Sequence, residues 1–242
     1  MSRKSRRNRP NPERQGPQTD NASAASRRRR SIVIGAVVAV LLAVLMGTLL
    51  FKGDRSQSAP GATITNQAPL ASVHSPMLGD AGAKVHIVEF IDPACETCAQ
   101  FFPVVKQLMA ENPNRIRLSI RHVAFHDGSD YVVKLLEASR KQDRYLPTLE
   151  ALLASQAQWA PHHTVQQELV LQALAGVGLN VEQLLVDMDS PEVAQNMQQG
   201  HDDAVALKVT ATPEYFVNGR PMPSFGQQQL QTLVSEALQS AY

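Results

Sequence analysis

The two cysteines of this chain, Cys95 and Cys98, are its only ones, and two residues separate them. A pair at this spacing can be a redox-active disulfide, half of a metal site or a structural crosslink. In thiol-disulfide exchange and in metal binding the reacting species is the thiolate. The elements around the pair, and the compartment in which it lies, therefore distinguish these possibilities.

The pair is predicted to lie where a strand ends and a helix begins. Residues 84–92, KVHIVEFID, form a short apolar run typical of a buried strand, and the residues after Cys98 have helical spacing. Unpaired N–H groups at a helix N-terminus favour a negative charge there. We therefore expect Cys95 to be the exposed nucleophile with a lowered pKa, and Cys98 to lie deeper, one turn along.

The rest of the chain alternates between predicted strands and helices. A second strand is predicted over 115–125, followed by a block of helices. Residues 209–222 contain an Asn218-Gly219 turn signal between two short strands, and a last helix covers about 226–239. This order predicts an α/β domain that begins with a parallel βαβ unit and ends with an antiparallel hairpin.

The segment around the cysteines resembles the active site of the thioredoxin superfamily, and within it the DsbA-like branch. Glu89 matches the family's buried acid beneath the cysteines, and Pro103 matches the proline within its active-site helix. Thr212 and Pro213 match the loop whose cis-proline packs against the cysteine pair. The resemblance implies a thioredoxin-like fold, with a central mixed sheet flanked by helices and a helical insertion over about 127–208.

The resemblance also implies roles for these residues. Glu89 would transfer a proton to or from Cys98, and the main chain of Thr212 beside Pro213 would pair with an extended substrate. The residues between the cysteines, Glu96 and Thr97, depart from the histidine-containing pattern of the strong oxidants. Since a negative charge at Glu96 disfavours a second one nearby, we expect a less extreme Cys95 pKa and potential, partly offset by Thr97.

The N-terminal third has a different composition. Residues 1–30 carry ten basic and two acidic side chains and are predicted to be a disordered cytoplasmic tail. Residues 31–51 are uncharged and long enough to cross a bilayer once as a helix, so an uncleaved signal-anchor is expected. Residues 52–82, rich in Ser, Pro, Gly and Ala, are interpreted as a flexible tether to a domain over 83–242.

The arginines before residue 31 predict the orientation, because positive flanks stay in the cytoplasm. The folded domain would then face the periplasmic side of a bacterial inner membrane, where disulfides persist. The basic tail could bind nucleic acid, but a role in setting membrane topology explains it better.

Two functions are consistent with this pattern. The first is a membrane-tethered thiol-disulfide oxidoreductase without a cofactor, which acts on cysteines of exported proteins and is recycled by a redox partner; the direction of electron flow stays open. The alternative is a tethered copper-binding protein that uses the same two thiolates. No metal site is predicted otherwise. His122 and His126 fall at a strand end and in the loop after it, and in such a stretch a spacing of four does not put two side chains on one face.

Overall fold

The computed structural model describes Leu70 and residues 72–242. The predicted basic tail (1–30), the predicted membrane helix (31–51) and most of the predicted tether (52–82) lie outside the described residues. Among the described residues, no helix has both the length and the apolar character needed to cross a membrane.

A mixed sheet forms the centre of the described domain. Its strands are β1 (Met77–Gly79), β2 (Val85–Ile91), β3 (Ile116–His122), β4 (Glu214–Val217) and β5 (Arg220–Pro221), in the spatial order β1-β3-β2-β4-β5. The pair β2 and β3 is parallel, whereas β1, β4 and β5 each run antiparallel to their neighbours. The predicted parallel unit and terminal hairpin are therefore both present, and the predicted thioredoxin-like mixed sheet is confirmed.

Helices pack around this sheet. They are α1 (Glu96–Glu111), α2 (Ser129–Ser139), α3 (Tyr145–Ala154), α4 (Gln156–Trp159), α5 (Gln167–Ala173), α6 (Val181–Met188), α7 (Pro191–Leu207) and α8 (Gln227–Ala241), with short 3-10 turns at Arg140–Gln142 and Pro161–His163. Helices α2 to α7 lie between β3 and β4 in the chain, where the sequence predicts the helical insertion.

The two faces of the sheet bury different residues. Ile87, Glu89 and Ile91 of β2 share one face, which packs in the larger apolar core together with residues of α1 and α8. Val88 and Phe90 point to the opposite face, where a smaller cluster includes Ala204 at the end of α7. A large apolar side chain buried in this way contributes about 1.5–3 kcal/mol, so both faces stabilise the sheet that positions the site.

Helix α1 carries its apolar residues on one stripe. Its buried residues are Cys98, Phe101, Phe102 and Val105, a spacing of three, one and three that places all of them on the side facing the core. Pro103 lies inside this helix, as the sequence predicts. Because proline has no N–H, it cannot donate the usual helical hydrogen bond to the carbonyl of Ala99.

The first strand corrects one boundary expected from the sequence. β1 pairs with β3 through Met77, Leu78 and Gly79, which lie in the stretch assigned to a flexible tether. The folded part of the chain therefore begins before Ala83. Three residues are too few to show the alternation that marks a strand. In the sequence, Gly79 looks like a linker residue. In the structure its φ is 89°, and a β-carbon at this position would lie only 2.6 Å from the Ile116 carbonyl oxygen.

Candidate active site

Cys95 is the residue that precedes the first turn of α1. Its backbone is extended (φ −80°, ψ 116°), its N–H donates to the Asp92 carbonyl at 3.0 Å, and its carbonyl accepts from Ala99 at 3.3 Å. The sulfur therefore lies at the positive end of the helix, beside N–H groups that have no helical partner. Strand β2 ends four residues earlier and fixes this starting point.

The sulfur of Cys95 contacts the loop before β4. Its Sγ donates to the main-chain oxygen of Thr212 at 3.2 Å, and the Thr212–Pro213 peptide bond is cis. Only 5% of Cys95 is exposed, so this residue is much more buried than the exposed nucleophile expected from the sequence. The sequence could not show this burial, since the covering loop lies more than a hundred residues away along the chain.

The two thiols differ strongly in acidity. The pKa of Cys95 is lowered to about 5, chiefly by the hydrogen bond from the Cys98 thiol, against the opposing effect of burial. A hydrogen bond from the Thr212 side chain and the N–H groups of Cys98 and Thr97 lower it further. When Cys95 is a thiol, the Thr212 hydroxyl oxygen is buried with no partner among the described residues, so it is available as a donor to the thiolate.

Cys98 is held in the neutral form. It is fully buried, and its pKa is raised first by that burial and then by its interactions with Cys95 and the charge of Glu89. No disulfide bond joins the two cysteines in this structure. At neutral pH the reduced pair therefore carries one negative charge, on the sulfur at the helix start, and one proton, on the sulfur beneath it.

Glu89 lies in β2 below the cysteines and is completely buried. The register of β2 with β4 places it directly opposite Tyr215, whose hydroxyl donates to Glu89 Oε1 at 2.8 Å. The other oxygen, Oε2, is buried and has no hydrogen-bond partner among the described residues. Burial raises the pKa of Glu89 to about 8, although the bond from Tyr215 opposes the shift. Glu89 is thus mostly a carboxylic acid at neutral pH.

Asp92 orders the loop that carries Cys95, a role that the sequence did not suggest. Its Oδ1 accepts from the N–H of Ala94 at 2.8 Å, while its Oδ2 accepts from the N–H groups of Phe125 and His126 at 2.6 and 2.9 Å. The His126 ring also contacts Oδ2, at 2.9 Å. A short polar residue directly after a buried strand was the one signal available for this role.

Gln156 fixes the same loop from the helical insertion. Its side-chain amide donates to the carbonyl oxygens of Pro93 and Cys95, at 2.6 and 2.9 Å. His163, in the following turn, contacts the Ala94 carbonyl at 3.1 Å and stacks on His126, with ring centroids 4.8 Å apart. No local pattern marks either residue, because only the tertiary fold brings α4 and its following turn to the cysteines.

The two residues between the cysteines occupy different surroundings. Glu96 is exposed at the start of α1, where water screens its charge, and Thr97 is half-buried. Thr97 acts on the Cys95 sulfur through its backbone N–H.

Within residues 72–242, no group of three or more His, Cys, Asp and Glu side chains could hold a metal ion. His122 and His126 have separate partners, Glu137 and Asp92.

Known proteins share this arrangement of elements. A family model described as thioredoxin matches residues 71–236. A thioredoxin-like oxidoreductase from Silicibacter pomeroyi DSS-3 is 29% identical, with a TM-score of 0.62 over 73% of this chain and 99% of its own. BdbD from Bacillus subtilis, at 22% identity and a TM-score of 0.59 over 69% of this chain and 94% of its own, shares the fold.

Two curated relatives differ in how much of them this chain covers. The Na(+)/H(+) antiporter NhaA of Herminiimonas arsenicoxydans is 27% identical over 86% of this chain, which spans only 33% of that protein's length. The thiol:disulfide interchange protein DsbA of Bordetella parapertussis is 25% identical over 75% of this chain and 83% of its own. With more than half of its residues matched by the family model, the chain belongs to the thioredoxin family.

Proposed function

We propose that the chain is a thiol-disulfide oxidoreductase that acts on cysteines of exported proteins through Cys95 and Cys98. The observation that carries this proposal is the unequal pair at the start of α1: an acidic thiol against the Thr212 carbonyl and a buried neutral thiol one turn along. A structural crosslink needs no such difference in acidity. The interchange named for the Bordetella relative is the same chemistry.

The reaction follows from the two acidities. A substrate thiolate attacks Cys95 in the enzyme disulfide, the bond between Cys95 and Cys98 breaks, and Cys98 takes up a proton. A second substrate thiol loses its proton and attacks the mixed disulfide. Cys95 then leaves as a thiolate. The substrate has lost two electrons, which the reduced cysteine pair now holds.

The lowered pKa of Cys95 favours oxidation of substrates. A stabilised thiolate stabilises the reduced enzyme, which makes the disulfide form a stronger oxidant. A pKa of about 5 lies between the values of about 7 for thioredoxin and about 3.5 for DsbA. We therefore infer a protein that is oxidising towards substrates, with a potential less extreme than that of the strongest oxidants.

We further propose that residues 31–51 anchor this domain to a bacterial inner membrane, with the N-terminus in the cytoplasm and the domain on the periplasmic side. The uncharged run of that segment and the arginines before it support this location. Protease treatment of spheroplasts tests the orientation. Digestion of the domain from outside is expected, and a fully protected domain would contradict it.

Trapping tests the proposed activity. In a Cys98→Ala variant of the full chain, mixed disulfides on Cys95 cannot be resolved internally and should accumulate with exported proteins. The Cys95→Ala variant is the matched control and should trap none. Absence of adducts in the Cys98→Ala variant, together with tight copper(I) binding by the wild-type protein, would favour the copper-binding alternative instead.

A further inference from the structure

We propose that Tyr215 is a positioning residue for Glu89. Its hydroxyl occupies Oε1, so that Oε2 is the oxygen that exchanges a proton with Cys98. The inference deepens the proposed thiol-disulfide exchange and rests on it. Tyr215 would touch neither the substrate nor the reacting sulfur atoms, and it would act through Glu89.

The geometry of the pair is defined by two adjacent strands. Glu89 and Tyr215 are directly opposite residues of β2 and β4, and both are completely buried. The tyrosine hydroxyl donates to Oε1 at 2.8 Å. A neutral carboxyl group carries one proton, and an oxygen that already accepts a hydrogen bond is the poorer place for it. The proton of Glu89 therefore resides on Oε2, which has no other partner among the described residues.

The tyrosine ring is held in place from the active-site helix. It stacks on Phe101 of α1, with ring centroids 6.0 Å apart and an interplanar angle of 24°. Phe101 in turn contacts Phe225, at 4.9 Å between centroids. Burial keeps the pKa of the Tyr215 hydroxyl well above its ordinary value, so the hydroxyl stays a donor throughout the pH range of the reaction.

Glu89, Tyr215 and Cys98 lie within electrostatic reach of one another. The charge of Glu89 raises the pKa of Cys98, and charges on Glu89 and Cys98 both raise that of Tyr215. In the fraction of molecules in which Glu89 is ionised, Oε2 is free to accept a proton. When such a molecule resolves a mixed disulfide on Cys95, the Cys98 proton passes to the Oε2 carboxylate, the bond between Cys98 and Cys95 forms, and the partner leaves as a thiolate. When the enzyme is reduced, Oε2 returns the proton to Cys98.

The Tyr215→Phe variant tests this assignment, since it keeps the ring and its stacking but removes the donor. Without the hydroxyl, the pKa of Glu89 should rise by about one unit, because the lost bond favoured the charged carboxylate. A Cys95–glutathione mixed disulfide is formed and held at acid pH, where the buried Cys98 thiol resolves it slowly. Its release by Cys98 after a jump to a final pH between 6 and 10 is followed by stopped flow. The midpoint should shift upward by about one pH unit, and the rate at pH 7 should fall about tenfold.

The matched control is Tyr145→Phe, the same change at a buried tyrosine whose hydroxyl contacts His122 at 2.9 Å. This variant should keep the wild-type profile. Tyr215→Met, which also lacks the donor, should repeat the shift and serves if the Phe variant folds poorly. A wild-type midpoint in both Tyr215 variants would overturn the assignment. Failure of the wild-type protein to form the mixed disulfide at all would instead refute the proposed function.

Discussion

The sulfur of Cys95 lies 3.2 Å from the main-chain oxygen of Thr212, a residue 117 positions further along the chain. This contact joins the start of α1 to the loop before β4 and covers the sulfur. The carbonyl can accept from a thiol but repels a thiolate, whereas the Thr212 hydroxyl can donate to the thiolate. When Cys95 ionises, its hydrogen bond to the Thr212 carbonyl is therefore replaced by a hydrogen bond from the Thr212 hydroxyl.

The acidity of Cys95 gives a direct test by alkylation. In the reduced protein, the rate of reaction with iodoacetamide should rise with pH to a plateau, with a midpoint near the Cys95 pKa of about 5. In the Cys98→Ala variant the midpoint should move upward, because the largest stabilising hydrogen bond is lost. A wild-type midpoint close to that of an ordinary thiol, about 8.5, would show that the hydrogen bond from Cys98 and the N–H groups at the helix start do not stabilise the thiolate.

Replacing Thr212 with valine should make the pair less oxidising. The change keeps the shape but removes the hydroxyl that donates to the Cys95 thiolate. The Cys95 pKa should rise by up to about one unit, and the equilibrium constant with glutathione should shift up to about tenfold towards the disulfide. The exposed Thr210→Val is the matched control and should change neither. An unchanged equilibrium in Thr212→Val would show that the Thr212 hydroxyl does not stabilise the Cys95 thiolate.

The buried acid predicts a dependence of stability on pH. Glu89 holds its proton up to about pH 8 in the folded protein but only up to about 4.5, its ordinary value, when unfolded. Between these values the unfolded chain binds fewer protons, so the contribution of Glu89 to stability falls as the pH rises. Glu89→Gln removes this titration. As the pH rises from 5 to 8.5, the free energy of unfolding of the variant relative to that of the wild type should therefore increase by about 2–4 kcal/mol.

Urea denaturation at the two pH values measures this difference, and the contribution of Cys95 cancels because both proteins contain it. Glu96→Gln, the same change at an exposed position beside the cysteines, is the control and should show almost no difference. If Glu89→Gln and wild type lose stability in parallel as the pH rises, Glu89 does not titrate as a buried acid.

The link from the helical insertion to the active-site loop can be tested at Gln156. Its amide is the donor to the carbonyl oxygens of Pro93 and Cys95. Gln156→Met removes this donor from the two buried carbonyl oxygens, which should lower the free energy of unfolding by about 1–3 kcal/mol. Gln158→Met, an exposed neighbour, should cost almost nothing. Equal stability of the two variants would show that Gln156 does not secure the loop.

The sequence predicted the parts of the site that local pattern defines. The cysteine spacing, the strand before it and the helix after it are contiguous, and the resemblance supplied Glu89, Thr212 and Pro213. Tertiary contacts supplied the rest. Tyr215 becomes the partner of Glu89 only through the register of β2 with β4, and Gln156 reaches Cys95 only because the insertion folds back. Such contacts leave no period or spacing in the chain.

The central claim is that Cys95 and Cys98 exchange two electrons as one couple. Equilibration of the full chain across a series of glutathione redox buffers, with the disulfide counted by mass spectrometry, tests it most directly. The account predicts a single two-electron transition, at a potential between about −270 mV for thioredoxin and about −120 mV for DsbA. A chain that forms no bond between Cys95 and Cys98 at any buffer ratio would contradict it.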